Sequence, residues 1–460
     1  MNLPNLIKTP SFFQQIQWVA EPVEYMEKAV QQYPDIFTSG VLGSQRPVIF
    51  VQHPQAIAEI FTNDRKKFAA LSRENRILQP LLGDNSIVML DSDRHKRQRQ
   101  LLIPPFHGER MQAYGEIIRN ITEKVFSQLP HNQPVSIRTT MQEISLQVIL
   151  QAVFGLYEGE RCQQIKRLIT SVLEVFQSPL GSSFLFFRFL QKDLGAWSPW
   201  GRFVRQRQQI DELLYAEIAE RRTKSDPNRI DILSLLMSAR DEEGKPMTEQ
   251  ELRDELMTLL FAGHDTTATA MAWGLYWLHH LPQVGEKLLQ ELGNLGDSPN
   301  TIDIARLPYL SAVCNETLRI YPVGILTFAR VVKEPVKLLE HELEPDTAVC
   351  GCIYLLHHRQ DLYPQPNQFK PERFLERQFS PYEFMPFGGG ARRCIGEALA
   401  LFEMKLVLAT IFSHYQLALT TNQPEQPQRR GVTLAPSGKV KMMITGERKS
   451  QESRKVVASV

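Results

Sequence analysis

Between Thr248 and Pro282 the chain carries one long helical pattern that opens on a capping-box spacing, Thr248-Glu-Gln-Glu251, and runs to about His280 before a proline stops it. Roughly 30 residues at a rise of 1.5 Å make a rod of ~45 Å, long enough to cross a whole domain. In its middle lies Ala262-Gly-His-Asp-Thr-Thr267, which sets a small pair, an acid and a hydroxyl where an apolar face would otherwise continue. Such a conflict with helix packing marks either a solvent-facing polar patch or a functional turn. Gly263 and the Thr266 hydroxyl suit a widened, π-like turn against which a small ligand can rest.

The rest of the chain fits around that rod. Residues 110–320 are dominated by helical periodicity. Asp35–Gly43 and Pro47–Gln52 read as a strand pair joined through Gly43-Ser-Gln-Arg46, and Gly438–Thr445 alternates like a strand. The fold class is therefore mainly α with a minor β region. No linker or charge block divides the 460 residues, so a single large domain over 1–445 is expected, followed by a polar tail over 446–460. With 43% hydrophobic and 22% charged residues and a net charge of +1, nothing calls for nucleic acid. Five scattered cysteines favour a reducing, cytoplasmic setting, and Cys350-Gly-Cys352 lacks the spacing of a zinc or redox pair. The first residues contain neither a secretory core nor a membrane span.

Phe387-Gly-Gly-Gly-Ala-Arg-Arg-Cys394-Ile-Gly396 reads as a loop that brings a cysteine sulfur onto a metal. Three glycines let backbone approach a flat cofactor where a Cβ would clash, and free N–H groups can point at the sulfur. The helix that follows from Glu397 places Cys394 at its N-terminus, where the dipole favours a thiolate. The spacing Phe-x-x-Gly-x-Arg-x-Cys-x-Gly resembles the cysteine loop of the cytochrome P-450 superfamily of haem-thiolate monooxygenases, most of all bacterial family 110 and, more distantly, the fatty-acid hydroxylases.

That resemblance implies one haem domain with the cytochrome P-450 fold, haem b as cofactor, Cys394 as the axial iron ligand and Phe387 beside it. It makes Ala262–Thr267 an oxygen-binding motif in which Asp265 and Thr266 relay protons. Glu316-Thr-Leu-Arg319, by itself an ordinary helical charge pair, becomes with Arg373 a buried network that braces the cysteine loop. In Arg94-His-Lys-Arg-Gln-Arg99, His95 and Arg99 share a helical face. The segment reads alone as a solvated basic helix. By resemblance His95, Arg99, Arg330 and Arg392 hold the haem propionates, while Arg94, Lys96, Arg97 and Arg393 form a positive face for an acidic electron carrier. Electrons are expected from a separate ferredoxin or flavodoxin with its NAD(P)H reductase.

Pocket segments carried over by resemblance, around 71–90, 178–200, 253–267 and 323–328, are mostly apolar: Ile77, Leu78, Val88, Met89 and Leu90; Leu259, Leu260 and Phe261; Val323, Ile325, Leu326 and Phe328. An ordinary core shows the same. The expected reaction inserts one atom of O2 into a C–H bond of a long-chain fatty acid, with terpenoids and alkanes as alternatives. Arg73 and Arg76 are candidates for holding a substrate carboxylate. Ser183–Leu190 with Trp197 and Trp200 fits a lipid-touching entrance or a buried helix segment equally. A monomer is expected. A haem-based sensor or carrier is the non-enzymatic rival; it needs no proton relay, and no output domain is fused here.

Overall fold

The capping box forms as read: the Thr248 hydroxyl accepts the Glu251 N–H at 3.1 Å, and the Glu251 carboxylate accepts the Thr248 N–H at 2.8 Å. From it an α-helix runs from Glu249 to His280 in this computed structural model, which describes residues 3–41, 47–70, 76, 78–108, 110–177, 190–224, 226, 229–296, 299–431 and 433–448. Pro282 closes this central helix and opens the next, Pro282–Gly293, where a missing N–H costs nothing in the first turn. Its buried residues extend from Leu252 to Leu278 on nearly every side, so the helix is a core element rather than a surface one.

Two helices pack closely along it, Ile137–Phe154 and Glu397–His414. Both contacts use glycine. A Cβ on Gly263 would stand 2.6 Å from Ile149 Cδ1, and one on Gly274 would stand 2.8 Å from Leu408 Cδ1. The helix stays α-helical through Gly263, so the expected π-like turn does not form. Gly263 is needed instead for the close approach of the Ile137–Phe154 helix.

The expected strand pair is present as Ile36–Ser39 against Val48–Val51, antiparallel; its predicted turn at 43–46 lies outside the described residues. Val48–Val51 continues in parallel onto Ala348–Gly351, then antiparallel onto Arg330–Val332 and Phe68–Ala69, so that distant chain segments share one five-stranded sheet. A second sheet pairs Lys441–Glu447 with Tyr415–Leu419 and Pro134–Ser136. The tail boundary at 446 is thereby corrected. Gly446 and Glu447 pair with Gln416 and Tyr415, and Arg448 donates its N–H to the His414 carbonyl at 2.7 Å. Ladder bonds are made by backbone, so polar side chains there do not prevent a strand. Residues 449–460 of the expected tail lie outside the described residues.

Candidate active site

Phe387–Gly396 crosses from the sheet side to the N-terminus of the Glu397–His414 helix. The Cys394 N–H donates to the Phe387 carbonyl at 3.0 Å, closing the loop. Gly388 and Gly390 take φ of +71° and +65°, a region that favours glycine. A Cβ on Gly390 would also come within 2.6 Å of Asp64 Oδ2, whereas one on Gly388 would meet nothing within 4 Å. Gly388 and Gly390 thus serve a left-handed turn, and Gly389 and Gly390 also pack closely on Phe61 and Asp64. Four cysteines are buried; Cys394 is the exposed one. Its sulfur is reachable yet surrounded by protein, as a group lining an interior space is. That burial pushes the thiol up, against the Gly396 and Glu397 amides and the Arg99 guanidinium, which favour the thiolate. A coordinated cation reverses the balance.

The central helix opens in its middle. Ala262 is exposed and Leu259, Gly263 and Thr266 are partly so, whereas His264, Asp265 and Thr267 are buried. Thr266 Oγ1 donates to the Ala262 carbonyl at 2.5 Å. Asp265, about 100° further round the helix, accepts from Arg138 Nη2 and Gln142 Nε2, each at 2.8 Å, on the side facing the Ile137–Phe154 helix. The acid and the alcohol adjacent in sequence are therefore held on different faces. The partners of Asp265 come from a segment in which the sequence offered no motif.

Beside the cysteine loop stands a cluster of cations. His95 is buried at 2% exposure; burial first, then the Arg392, Arg65, Arg99 and Arg330 guanidiniums, lower its pKa to about 3. Arg330 pairs with Asp64 through two bonds of 2.9 and 3.0 Å, and Asp64 also accepts the Ala391 N–H at 2.9 Å. Arg392 donates to the carbonyls of Ile87 (2.8 Å), Val88 (3.4 Å) and Leu90; burial, then the like charge of Arg330, lower its pKa to about 10. Arg99 Nη1 donates to the Arg393 carbonyl at 2.6 Å. The segment that holds Arg392 is gripped by the central helix: Asp254 accepts the Asn85 N–H at 2.8 Å, and Glu255 accepts the Ile87 N–H at 2.7 Å. Sequence reading missed Asp64, Arg65, Asp254 and Glu255, since none stands in a motif.

Glu316, Arg319 and Arg373 are brought together. Arg319 forks onto Glu316 at 2.7 and 2.8 Å, and Arg373 Nε reaches Glu316 Oε1 at 3.2 Å. Arg319 also donates to the His357 carbonyl at 2.9 Å, and the His357 ring Nε2 accepts the Met385 N–H at 3.0 Å, which links the cluster to the strand of chain entering the cysteine loop. The basic face is less positive than its sequence. Arg97 pairs with Asp241 and Glu251, and Arg393 forks onto Glu397, leaving Arg94 on Asn85 and Lys96 exposed. Of the substrate candidates Arg76 is exposed, while Arg73, Ile77 and 183–189 lie outside the described residues.

A reachable cysteine at a helix N-terminus, an open apolar stripe on a buried helix, and a cation cluster suited to carboxylates fit the donor set of a haem-thiolate site. A sequence model of the family described as Cytochrome P450 matches residues 4–442. Cytochrome P450 135B1 of Mycobacterium tuberculosis is 34% identical over 449 residues, covering 97% of this chain and 92% of that protein. Cytochrome P450 138 of Mycobacterium bovis is 32% identical over 444 residues, covering 95% of each. Among solved structures, retinoic acid bound cyanobacterial CYP120A1 superposes with a TM-score of 0.83 at 22% identity, covering 97% of this chain and 99% of that one. The chain belongs to the cytochrome P450 family. It is a haem-thiolate monooxygenase, an oxidoreductase that binds haem b and uses O2 with electrons from redox partners. Among the described residues no helix is long and apolar enough to cross a membrane.

Proposed function

We propose that the protein hydroxylates a long-chain fatty acid, taking electrons from a separate ferredoxin or flavodoxin and its reductase. The observation that carries the reading is the open stripe Leu259, Ala262, Gly263 and Thr266, which bears no charge, on a helix otherwise buried. Phe261, Val88 and Leu326 are partly exposed in the other pocket segments, and Arg76 is available for a carboxylate. A neighbour in fold was solved with retinoic acid, a carboxylate on an apolar isoprenoid chain. That favours an isoprenoid acid as the second reading. All five cysteines are free, which supports a cytoplasmic setting.

In this reading Cys394 holds the iron, with Phe387 closing the loop beside it, and His95, Arg99, Arg330 and Arg392 hold the haem carboxylates. The haem supplies oxygen activation and C–H cleavage. Thr266 Oγ1 holds a proton at the open stripe. Asp265, on the Arg138 side, reaches that hydroxyl by turning its side chain or through a water. Glu316, Arg319 and Arg373 brace the loop without touching substrate. Thr266→Ala is expected to keep its haem but release hydrogen peroxide in place of product; unchanged coupling of electrons to product removes Thr266 from proton delivery.

Titration of the ferric protein with fatty acids, alkanes and terpenoids, followed at the Soret band, tests the substrate. A saturable low- to high-spin change confined to long-chain acids supports hydroxylation of fatty acids. A change with isoprenoids alone overturns it.

A further inference from the structure

Four guanidiniums surround the His95 imidazole, and the acids among them do not balance the charge. Arg330 is matched by Asp64, and Arg392 has Asp91 at 3.6 Å. Arg99 and Arg65 have no acid within ion-pair distance among the described residues; their side-chain bonds go to the Arg393 carbonyl and to His95.

Arg65 is also set apart by its backbone. Its φ is +75°, a conformation a long side chain rarely adopts and one that persists where neighbouring bonds over-determine it. Those bonds are present: the Arg65 N–H donates to the Phe68 carbonyl at 2.9 Å, and Lys333 Nζ donates to the Arg65 carbonyl at 3.1 Å. The result carries the guanidinium to His95, with Nη2 at 3.1 Å from Nδ1. A guanidinium only donates, so Nδ1 must accept and the ring proton must sit on Nε2. Arg65 thereby makes His95 a neutral donor whose N–H is directed away from Arg65.

We propose that Arg65 is a further haem-binding residue of this chain, supplying an unmatched cation to a haem carboxylate and fixing His95 as an Nε2–H donor. Arg65 would then join Arg99 as a second guanidinium without an acid partner among the described residues, available to a haem carboxylate. The proposal rests on the assignment of His95 and Arg99 to those carboxylates.

The test is haem transfer from the holoenzyme to excess apomyoglobin. Arg65→Gly is the informative variant, because glycine relieves the left-handed backbone while removing the side chain. Haem is expected to leave about tenfold faster, as for loss of one bond to a charged group, with a thermal midpoint lowered by no more than the weaker haem binding accounts for. Arg65→Lys, which keeps the charge, is expected to recover part of the loss. The double variant Arg65→Gly/His95→Ala is expected to fall short of the product of the single effects, since one residue acts partly through the other. Wild-type haem retention in Arg65→Gly, with faster loss in His95→Ala and Arg99→Ala, overturns the role of Arg65 alone. Wild-type retention in all three overturns the carboxylate assignment beneath it.

Discussion

The cluster at Glu316, which is buried, and the cluster at His95, which is buried at His95 and Arg330 and open at Arg65, are both built around arginine, yet their charges are settled differently. Around Glu316 each donor has its acceptor inside the protein: Arg319 forks onto the carboxylate, Arg373 and the Lys370 N–H share its Oε1, and the remaining guanidinium hydrogens reach carbonyls such as that of His357. Around His95 cations outnumber acids. A self-satisfied cluster holds structure, and removing one member strands the others. A cluster with charge left over is suited to an anionic ligand.

The largest effect that separates the two is expected on the structural side. Arg319→Ala leaves Glu316 buried with too few donors, at a cost of about 3 to 5 kcal/mol. Little folded, haem-loaded protein is expected on purification; a denaturation midpoint near wild type breaks the comparison.

Next comes the pH response of Glu255, which fixes Ile87 and through its carbonyl Arg392. Burial, opposed by bonds from Gln98 and Ile87, raises its pKa from 4.5 to about 8. The unfolded carboxyl ionises at the lower value, so between the two the folded state holds one more proton. Stability therefore falls as pH rises through that window and levels off above about 8. Glu255→Gln is expected to flatten the slope of chemical denaturation midpoints between pH 5 and pH 8; an unaltered slope assigns it elsewhere. His95 works in the opposite sense. Its depressed value makes its contribution present above 6.5 and lost as pH falls toward about 3.

Arg99→Ala is the counterpart of Arg319→Ala on the ligand side. With no acid partner to strand, it is expected to change fold stability by less than about 1 kcal/mol, while haem leaves about tenfold faster. A large loss of stability makes the two clusters alike.

The smallest effect is that of salt. The half-open His95 cluster is screened, so raising salt is expected to speed haem loss a few-fold, while the Arg319–Glu316 pair, at 0% side-chain exposure, does not respond. Equal sensitivity of both, read from haem loss and denaturation midpoint, removes the distinction.

Much of this was legible in advance wherever the chemistry is local. The Thr248 cap needs only residues three apart, and the Glu316–Arg319 pair only one helical turn. The Asp64–Arg330 pair spans 266 positions. Asp64 and Arg65 lie past the end of the Pro54–Thr62 helix with no periodicity or spacing to mark them. Asp265 and Thr266 show the limit from the other side: they are neighbours in sequence, yet Asp265 bonds Arg138 and Gln142 while Thr266 bonds the Ala262 carbonyl, partners that no motif marked. Gly263 was read correctly as exceptional but for a different cause, because the demand for a missing Cβ comes from Ile149.

The sequence by itself determined the central helix, its capping box and the strand pair, since each depends on short-range stereochemistry or on spacing. Tertiary structure alone decided which of the clustered arginines are neutralised. Net charge at a site depends on distances between segments hundreds of residues apart, and burial then sets how strongly each unmatched charge is felt.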